Sequence, residues 1–117
     1  MILEKDFEFD AAHFLPNVPI THKCRRLHGH RYHITVAIKG EVDTLHGWVM
    51  DFGDVKKAVK PLIQKLDHNF LNAIPGLENP TAEVIAKYIF NALKKDLPNL
   101  YSITVRETPT SRCVYYG

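Results

Sequence analysis

Two stretches of the chain alternate between apolar and polar residues, and two others repeat at a helical period. In residues 2–14, Leu3, Phe7, Phe9, Ala11 and His13 share one parity, with Lys5 the exception, while Glu4, Asp6, Glu8 and Asp10 share the other. A period of two marks a strand with one buried face, so this run predicts a strand with an acidic open face. In residues 28–39, His28, His30, Tyr32, Ile34, Val36 and Ile38 fall on one face, and Arg31, His33, Thr35 and Lys39 on the other. The acidic row of the first strand and the basic row of the second suit each other across a ladder. Pro16-Asn17-Val18-Pro19 separates them with a loop that carries Lys23 and Cys24, and Gly40 to Gly47 reads as a turn or loop.

Val55, Val59, Leu62 and Leu66 then recur at the spacing of an amphipathic helix. Asp51 suits its N-cap, and Asp54 in the first turn complements the helix dipole. Pro61 lacks an N–H and is expected to kink this helix or end it early. Asp67-His68-Asn69 opens a turn-rich loop that includes Pro75-Gly76. A second helix is predicted from Asn79-Pro80, with Asn79 as N-cap and Pro80 at the first helical position. Ile85, Ile89, Ala92 and Leu93 form its apolar stripe, Lys94 and Lys95 suit its C-terminal end, and Pro98 stops it. A third strand has Tyr101, Ile103, Val105 and Glu107 on one face. Thr108-Pro109-Thr110-Ser111 turns into a fourth at Cys113–Tyr116. The order ββααββ predicts an α+β fold, an antiparallel four-stranded sheet with both helices on one face. Its two sheet edges need management, and a closed ring of subunits would abolish them.

Composition narrows the partners. The 117 residues suit a single domain, 1–117, around one core. The formal charge is +2, and basic residues are scattered apart from Lys23, Arg25 and Arg26. That argues against nucleic acid, which favours a broad basic face, and fits one small anionic ligand. Two cysteines are too few for a secreted disulfide framework. Met1–Asp6 lacks the start of a signal peptide, and no apolar stretch approaches a membrane span. A cytoplasmic protein without a membrane partner is the expectation.

The chemistry concentrates in Cys24-Arg25-Arg26-Leu27-His28-Gly29-His30. Residues i and i+2 of a strand face one way, so His28 and His30 can reach one ion. His13 has the parity to join them from the first strand. Three neutral imidazoles and one vacant position form the ligand set of a catalytic zinc. Without an ion, each buried ring would need its own hydrogen-bond partner. Gly29 allows close backbone approach between the ligands. His22, His33 and His46 lack the matching parity. The basic neighbours of Cys24 favour a thiolate, a candidate for acid–base or nucleophilic work. The same thiol could instead close the zinc site as a fourth ligand. Asp67 and His68 read either as a surface pair or as a carboxylate that orients an imidazole for proton transfer. Adjacent residues do not face each other on a regular helix, so the pair must act from a loop. Glu107 points toward apolar surroundings. It reads as a strand-end ion pair or as a bidentate anchor for a ligand with two adjacent N–H donors. Thr81 offers a hydroxyl for ligand contact or for ordinary helix-start chemistry.

With these residues in place, the chain resembles the 6-pyruvoyltetrahydropterin and 6-carboxytetrahydropterin synthase family, of the tunnelling fold. The resemblance runs through Phe9-Asp10-Ala11-Ala12-His13, the Cys24–His30 stretch, Val49-Met50-Asp51-Phe52, Leu66-Asp67-His68, Asn79-Pro80-Thr81-Ala82-Glu83 and Arg106-Glu107-Thr108. It implies zinc on His13, His28 and His30, with Cys24 as the catalytic thiol and general base. Asp67 and His68 would complete the proton-transfer set, and Glu107 would anchor the pterin with Thr81 nearby. It also implies homohexamers built as dimers of trimers, with active sites between subunits. The implied substrate is 7,8-dihydroneopterin triphosphate, and we expect the basic loop at Lys23, Arg25 and Arg26 to meet its triphosphate. The spacing Cys-x3-His-Gly-His resembles the branch that makes 6-carboxytetrahydropterin for 7-deazaguanine (queuosine-type) synthesis. The 6-pyruvoyl branch typically has two more residues before the first histidine, and branches that replace the thiol with glutamate are disfavoured by Cys24. A non-enzymatic, zinc-stabilised pterin-binding protein is the competing class.

Overall fold

The computed structural model describes residues 1–117, the whole chain. Strand β1 spans Ile2–His13, β2 spans His28–Lys39, β3 spans Leu100–Thr108 and β4 spans Ser111–Tyr115. Helices α1, Phe52–Leu66, and α2, Ala82–Leu93, lie between β2 and β3 in the chain. The strands form one antiparallel sheet in the order β1-β2-β3-β4, the ββααββ arrangement that the patterning predicts. Helix α1 packs against β1, and α2 against β3 and β4. Phe9, Tyr32, Ile34 and Val36 from the sheet meet Val55, Val59, Leu66, Ile85 and Ile89 from the helices in one buried cluster. No helix is long and apolar enough to cross a membrane.

The first two strands run antiparallel in a register that sets Asp10 opposite Arg31, Glu8 opposite His33 and Asp6 opposite Thr35. Arg31 Nε donates to Asp10 Oδ1 at 3.0 Å, and the Thr35 hydroxyl to Asp6 Oδ1 at 2.6 Å. These pairs are exposed, so solvent screening leaves each contributing little to stability. Their larger effect is on register, because a slip of one residue would put His13 on the face opposite to His28 and His30.

Three expectations need correction. Of the two outcomes expected at Pro61, an early end is overturned, since helix α1 runs on to Leu66 as the apolar stripe predicts. Pro61 and Lys57 are both exposed, so the carbonyl that Pro61 leaves unpaired can face water, while buried Leu66 holds the last turn down. Helix α2 starts two residues later than predicted. Thr81, not Asn79, is its N-cap, and the Thr81 hydroxyl accepts the Val84 N–H at 3.2 Å. Tyr101 does not share the buried row of Ile103 and Val105. A bulge sets Ala37 opposite Ser102 and Ile38 opposite Leu100, which turns Tyr101 to the open face near Tyr116.

Candidate functional site

The register of β1 and β2 brings His13 opposite His28 at the end of the ladder, with His30 opposite Ala11. The three rings pack edge to face, with centroids 4.5 to 5.0 Å apart. One ring nitrogen from each lies within 4.8 Å of the others. Gly29 sits between the two β2 histidines, where a Cβ would stand 3.3 Å from the Ala11 carbonyl. A side chain there would require the Ala11 carbonyl to give by a few tenths of an ångström.

Hydrogen bonds outside the trio decide which nitrogens face inward. His13 Nδ1 lies 2.9 Å from the Pro80 carbonyl, and His28 Nδ1 lies 2.7 Å from the Arg26 carbonyl. A carbonyl only accepts, so both Nδ1 atoms carry their protons and donate. In the neutral rings both Nε2 atoms are then bare acceptors, yet they stand 3.0 Å apart. Two lone pairs at that distance repel unless a proton or a cation lies between them. A proton is disfavoured at His13, whose ring is 1% exposed and whose pKa burial lowers to about 4. Burial also lowers the pKa of His30, with His28 adding to the effect. This donor set fits a divalent cation that takes neutral imidazole, zinc being the ordinary case. The carbonyl partners orient the ligand rings in the way outer-shell groups do at metal sites.

Cys24 lies in a three-residue 3-10 turn, Lys23–Arg25. His22 Nδ1 accepts its N–H at 3.1 Å, and its carbonyl accepts the Leu15 N–H at 2.7 Å. The thiol lines a cavity of about 280 Å³ with Lys23, His28 and His30. Cys24 is not part of the cluster whose donor atoms all lie within 4.8 Å, so the trio keeps an open side next to the thiol. Arg25 is occupied by the Val18 carbonyl at 3.1 Å, which leaves Lys23 as the basic residue at this cavity.

Asp67 and His68 do meet, and the reason is local. His68 has φ = 56°, a left-handed conformation rare for a residue with a side chain. That twist brings His68 Nδ1 to 2.9 Å from Asp67 Oδ2. The turn docks on the outer edge of β1: the Asp10 N–H donates to Asp67 Oδ1 at 2.9 Å, and the His68 N–H donates to the Asp10 carbonyl at 2.7 Å. The Asp10 N–H and His68 hold the Asp67 carboxyl below its ordinary range, while Asp67 raises the His68 imidazole. His68 lines a cavity of about 540 Å³ with Asp10, Ala12, Gly29, His30 and Phe70, and His30 is the one residue this cavity shares with that of Cys24.

Glu107 extends β3 toward the trio, with Oε2 3.8 Å from His30 Nε2. That distance suggests an ion pair, but both groups are shifted toward their neutral forms. Burial raises the Glu107 carboxyl, opposed by His28 and reinforced by Glu83, while burial lowers His30. We therefore read a half-buried carboxyl without a strong partner, which is how an anchor for an incoming N–H pair should look. It opens on a cavity of about 300 Å³ that also meets Glu83, Thr108 and Cys113. Thr81 takes its helix-start role, and its hydroxyl keeps a proton free to donate. His33 and His46, set aside by parity, pair with Glu8 and Asp43, and His22 caps the Cys24 turn.

Strand parity alone misses several groups. The Pro80 and Arg26 carbonyls carry no side-chain signal. Tyr32 continues the face of His28 and His30, and its ring packs edge-on to His13 and His30 at 5.8 and 5.6 Å. Its hydroxyl is buried without a hydrogen-bond partner, and burial together with Glu107 raises its pKa.

A family described as "6-pyruvoyl tetrahydropterin synthase" matches residues 2–117. The chain is 42% identical over 122 residues to a 6-carboxy-5,6,7,8-tetrahydropterin synthase of Synechocystis sp., covering 99% of this chain and 93% of that protein. It is 40% identical over 90 residues to a dihydroneopterin monophosphate aldolase of Pyrococcus furiosus, covering 77% of this chain and 72% of the relative. The solved structure of Caenorhabditis elegans 6-pyruvoyl tetrahydropterin synthase superposes with a TM-score of 0.92 at 30% identity, covering 100% and 95% of the two chains.

Proposed function

The chain belongs to the 6-pyruvoyl tetrahydropterin synthase family, and on that premise we propose that it is a zinc-dependent lyase acting on 7,8-dihydroneopterin triphosphate. With one water consumed, the proposed products are 6-carboxy-5,6,7,8-tetrahydropterin, triphosphate and acetaldehyde, in 7-deazaguanine (queuosine/archaeosine-type) biosynthesis. The observation that carries the reading is the pair of bare Nε2 atoms 3.0 Å apart, with a thiol lining the cavity beside them. The 42% identity to a 6-carboxytetrahydropterin synthase and the Cys24-to-His28 spacing support the carboxy product.

In this proposal His13, His28 and His30 hold the zinc. When bound, the ion supplies Lewis-acid polarisation of the substrate's side-chain hydroxyls. Cys24 and His68, the latter oriented by Asp67, divide the proton transfers at the reacting carbon and oxygen between them. Glu107 receives the adjacent N–H donors of the pterin edge, and Thr81 adds its free hydroxyl proton. Lys23 meets the triphosphate, with Arg25 and Arg26 supporting the charge of the loop. Cys24 and His68 line cavities that share only His30, and the proposal places them in an active site formed between subunits of a homohexamer, a dimer of trimers. A cytoplasmic setting suits a chemistry that needs the Cys24 thiol reduced.

Incubation with dihydroneopterin triphosphate and mass identification of the pterin tests this reading. A 6-carboxy product supports it. A 6-pyruvoyl product would favour the runner-up, 6-pyruvoyltetrahydropterin synthase, whose solved C. elegans relative shares the fold closely. No turnover would favour the zinc-stabilised binding protein. Cys24→Ala separates the classes further. In the enzyme it keeps zinc and abolishes turnover, whereas loss of zinc would make Cys24 a structural ligand.

A further inference from the structure

Asn72 touches neither the trio nor the thiol, yet its side chain ties together the segments that aim both. It lies in the 3-10 turn Leu71–Ala73, between the helices. Its Oδ1 accepts the Phe14 N–H at 3.0 Å, and its Nδ2 donates to the Phe14 carbonyl at 2.9 Å and to the Glu78 carbonyl at 3.3 Å. The first two bonds imitate a rung of sheet just where β1 has ended.

The positions so held are telling. Phe14 follows His13 directly, and the next residue, Leu15, donates its N–H to the Cys24 carbonyl at 2.7 Å. Glu78 stands two residues before Pro80, whose carbonyl takes the His13 Nδ1 proton. One amide therefore braces both sides of the hydrogen bond that aims His13, and the point from which the Cys24 turn hangs. We propose that Asn72 is a positioning residue for the metal centre, fixing the aim of His13 and the approach of Cys24. Removing it leaves the part-buried Phe14 N–H and C=O without their partner and lets the end of β1 swing. Loss of a direct outer-shell partner weakens metal binding ten- to a hundred-fold, and a brace one contact further out is expected at the lower end, about ten-fold.

The inference rests on the trio being a metal centre, and the experiment separates the two. Zinc affinity is measured by chelator competition for the wild type, Asn72→Ala, Asn72→Asp and Val59→Ala, a core variant away from the site that controls for general destabilisation. Asn72→Asp keeps the acceptor for Phe14 but turns a donor into an acceptor facing two carbonyls. Both Asn72 variants are expected to bind zinc about ten-fold more weakly than the wild type, and Val59→Ala as the wild type does. Wild-type affinity in Asn72 variants with the wild-type far-UV circular dichroism would overturn the positioning role. A wild type that binds no zinc would remove the metal reading, and this inference with it. Should neither variant fold, zinc titration of the wild type followed by NMR decides. Slower exchange of the Asn72 side-chain amide protons supports the role, and no change sinks it.

Discussion

His13 and His28 each commit Nδ1 to a main-chain carbonyl, and that commitment leaves their two Nε2 acceptors facing each other, the arrangement the proposed zinc would bridge. The identities of the three histidines are legible from strand parity. Their tautomers are not, because the carbonyls of Pro80 and Arg26 belong to whichever residues the loops bring there. Asp67 and His68 show the same division. Their types suggest a proton relay, but the left-handed turn that lets neighbours meet has no marker in the residue types. The pair has a pH signature. His68 is raised above its ordinary 6.5, so its contribution to stability is complete below that value and is lost as pH rises through the higher folded pKa. Asp67 is lowered below 3.8, so its contribution holds above that value and is lost as pH falls through the lower folded pKa. NMR titration should find His68 above 6.5 in the wild type and nearer 6.5 in Asp67→Asn; an unchanged midpoint would refute the coupling. Tyr32 gives a second test. Its hydroxyl has no partner, so Tyr32→Phe should leave stability unchanged or raise it by about 1 kcal/mol in urea unfolding. A clear loss would reveal a partner.

Elements were legible where pattern and chemistry agree, and less so where packing overrides a local preference. The Asp51 cap is of the first kind: its Oδ1 accepts the Gly53 N–H at 2.8 Å, and Asp51→Ala should cost about 1 kcal/mol. Pro61 is of the second kind. The helix interior loses a hydrogen bond there and continues because the residues beyond are anchored in the core. Pro61→Ala should therefore stabilise the chain by about 1–2 kcal/mol, less than the full propensity difference because proline also restricts the unfolded chain. A lower urea midpoint for this variant would show that the proline serves the packing. The bulge at Tyr101 defeats a strict period of two, since one extra residue reverses the face of everything before it while leaving Ile103, Val105 and Glu107 on the predicted side.

The whole chain is elongated, 57 × 24 × 21 Å, with a radius of gyration of 15.3 Å against roughly 13 Å for a compact chain of this length. That shape suits a part of a larger assembly. If the chain forms the proposed homohexamer, sedimentation gives a mass near six times the 13.4 kDa of one chain, and a monomer mass would sink that reading. If active sites are shared, subunit exchange between Cys24→Ala and Asp67→Ala should restore part of the turnover that each lacks alone. No recovery after demonstrated exchange would put both residues in one subunit's site. The docking of Asp67–Phe70 on β1 bears on where such sites could lie. The outward-facing N–H groups of Asp10 and Ala12 are already taken by Asp67 and by the Asn69 carbonyl. The rest of that margin, at Glu4, Asp6 and Glu8, is still free to zip to a neighbouring strand. A seam between copies would therefore have to stop short of Asp10, and the gap beyond its last stitch would open beside His68.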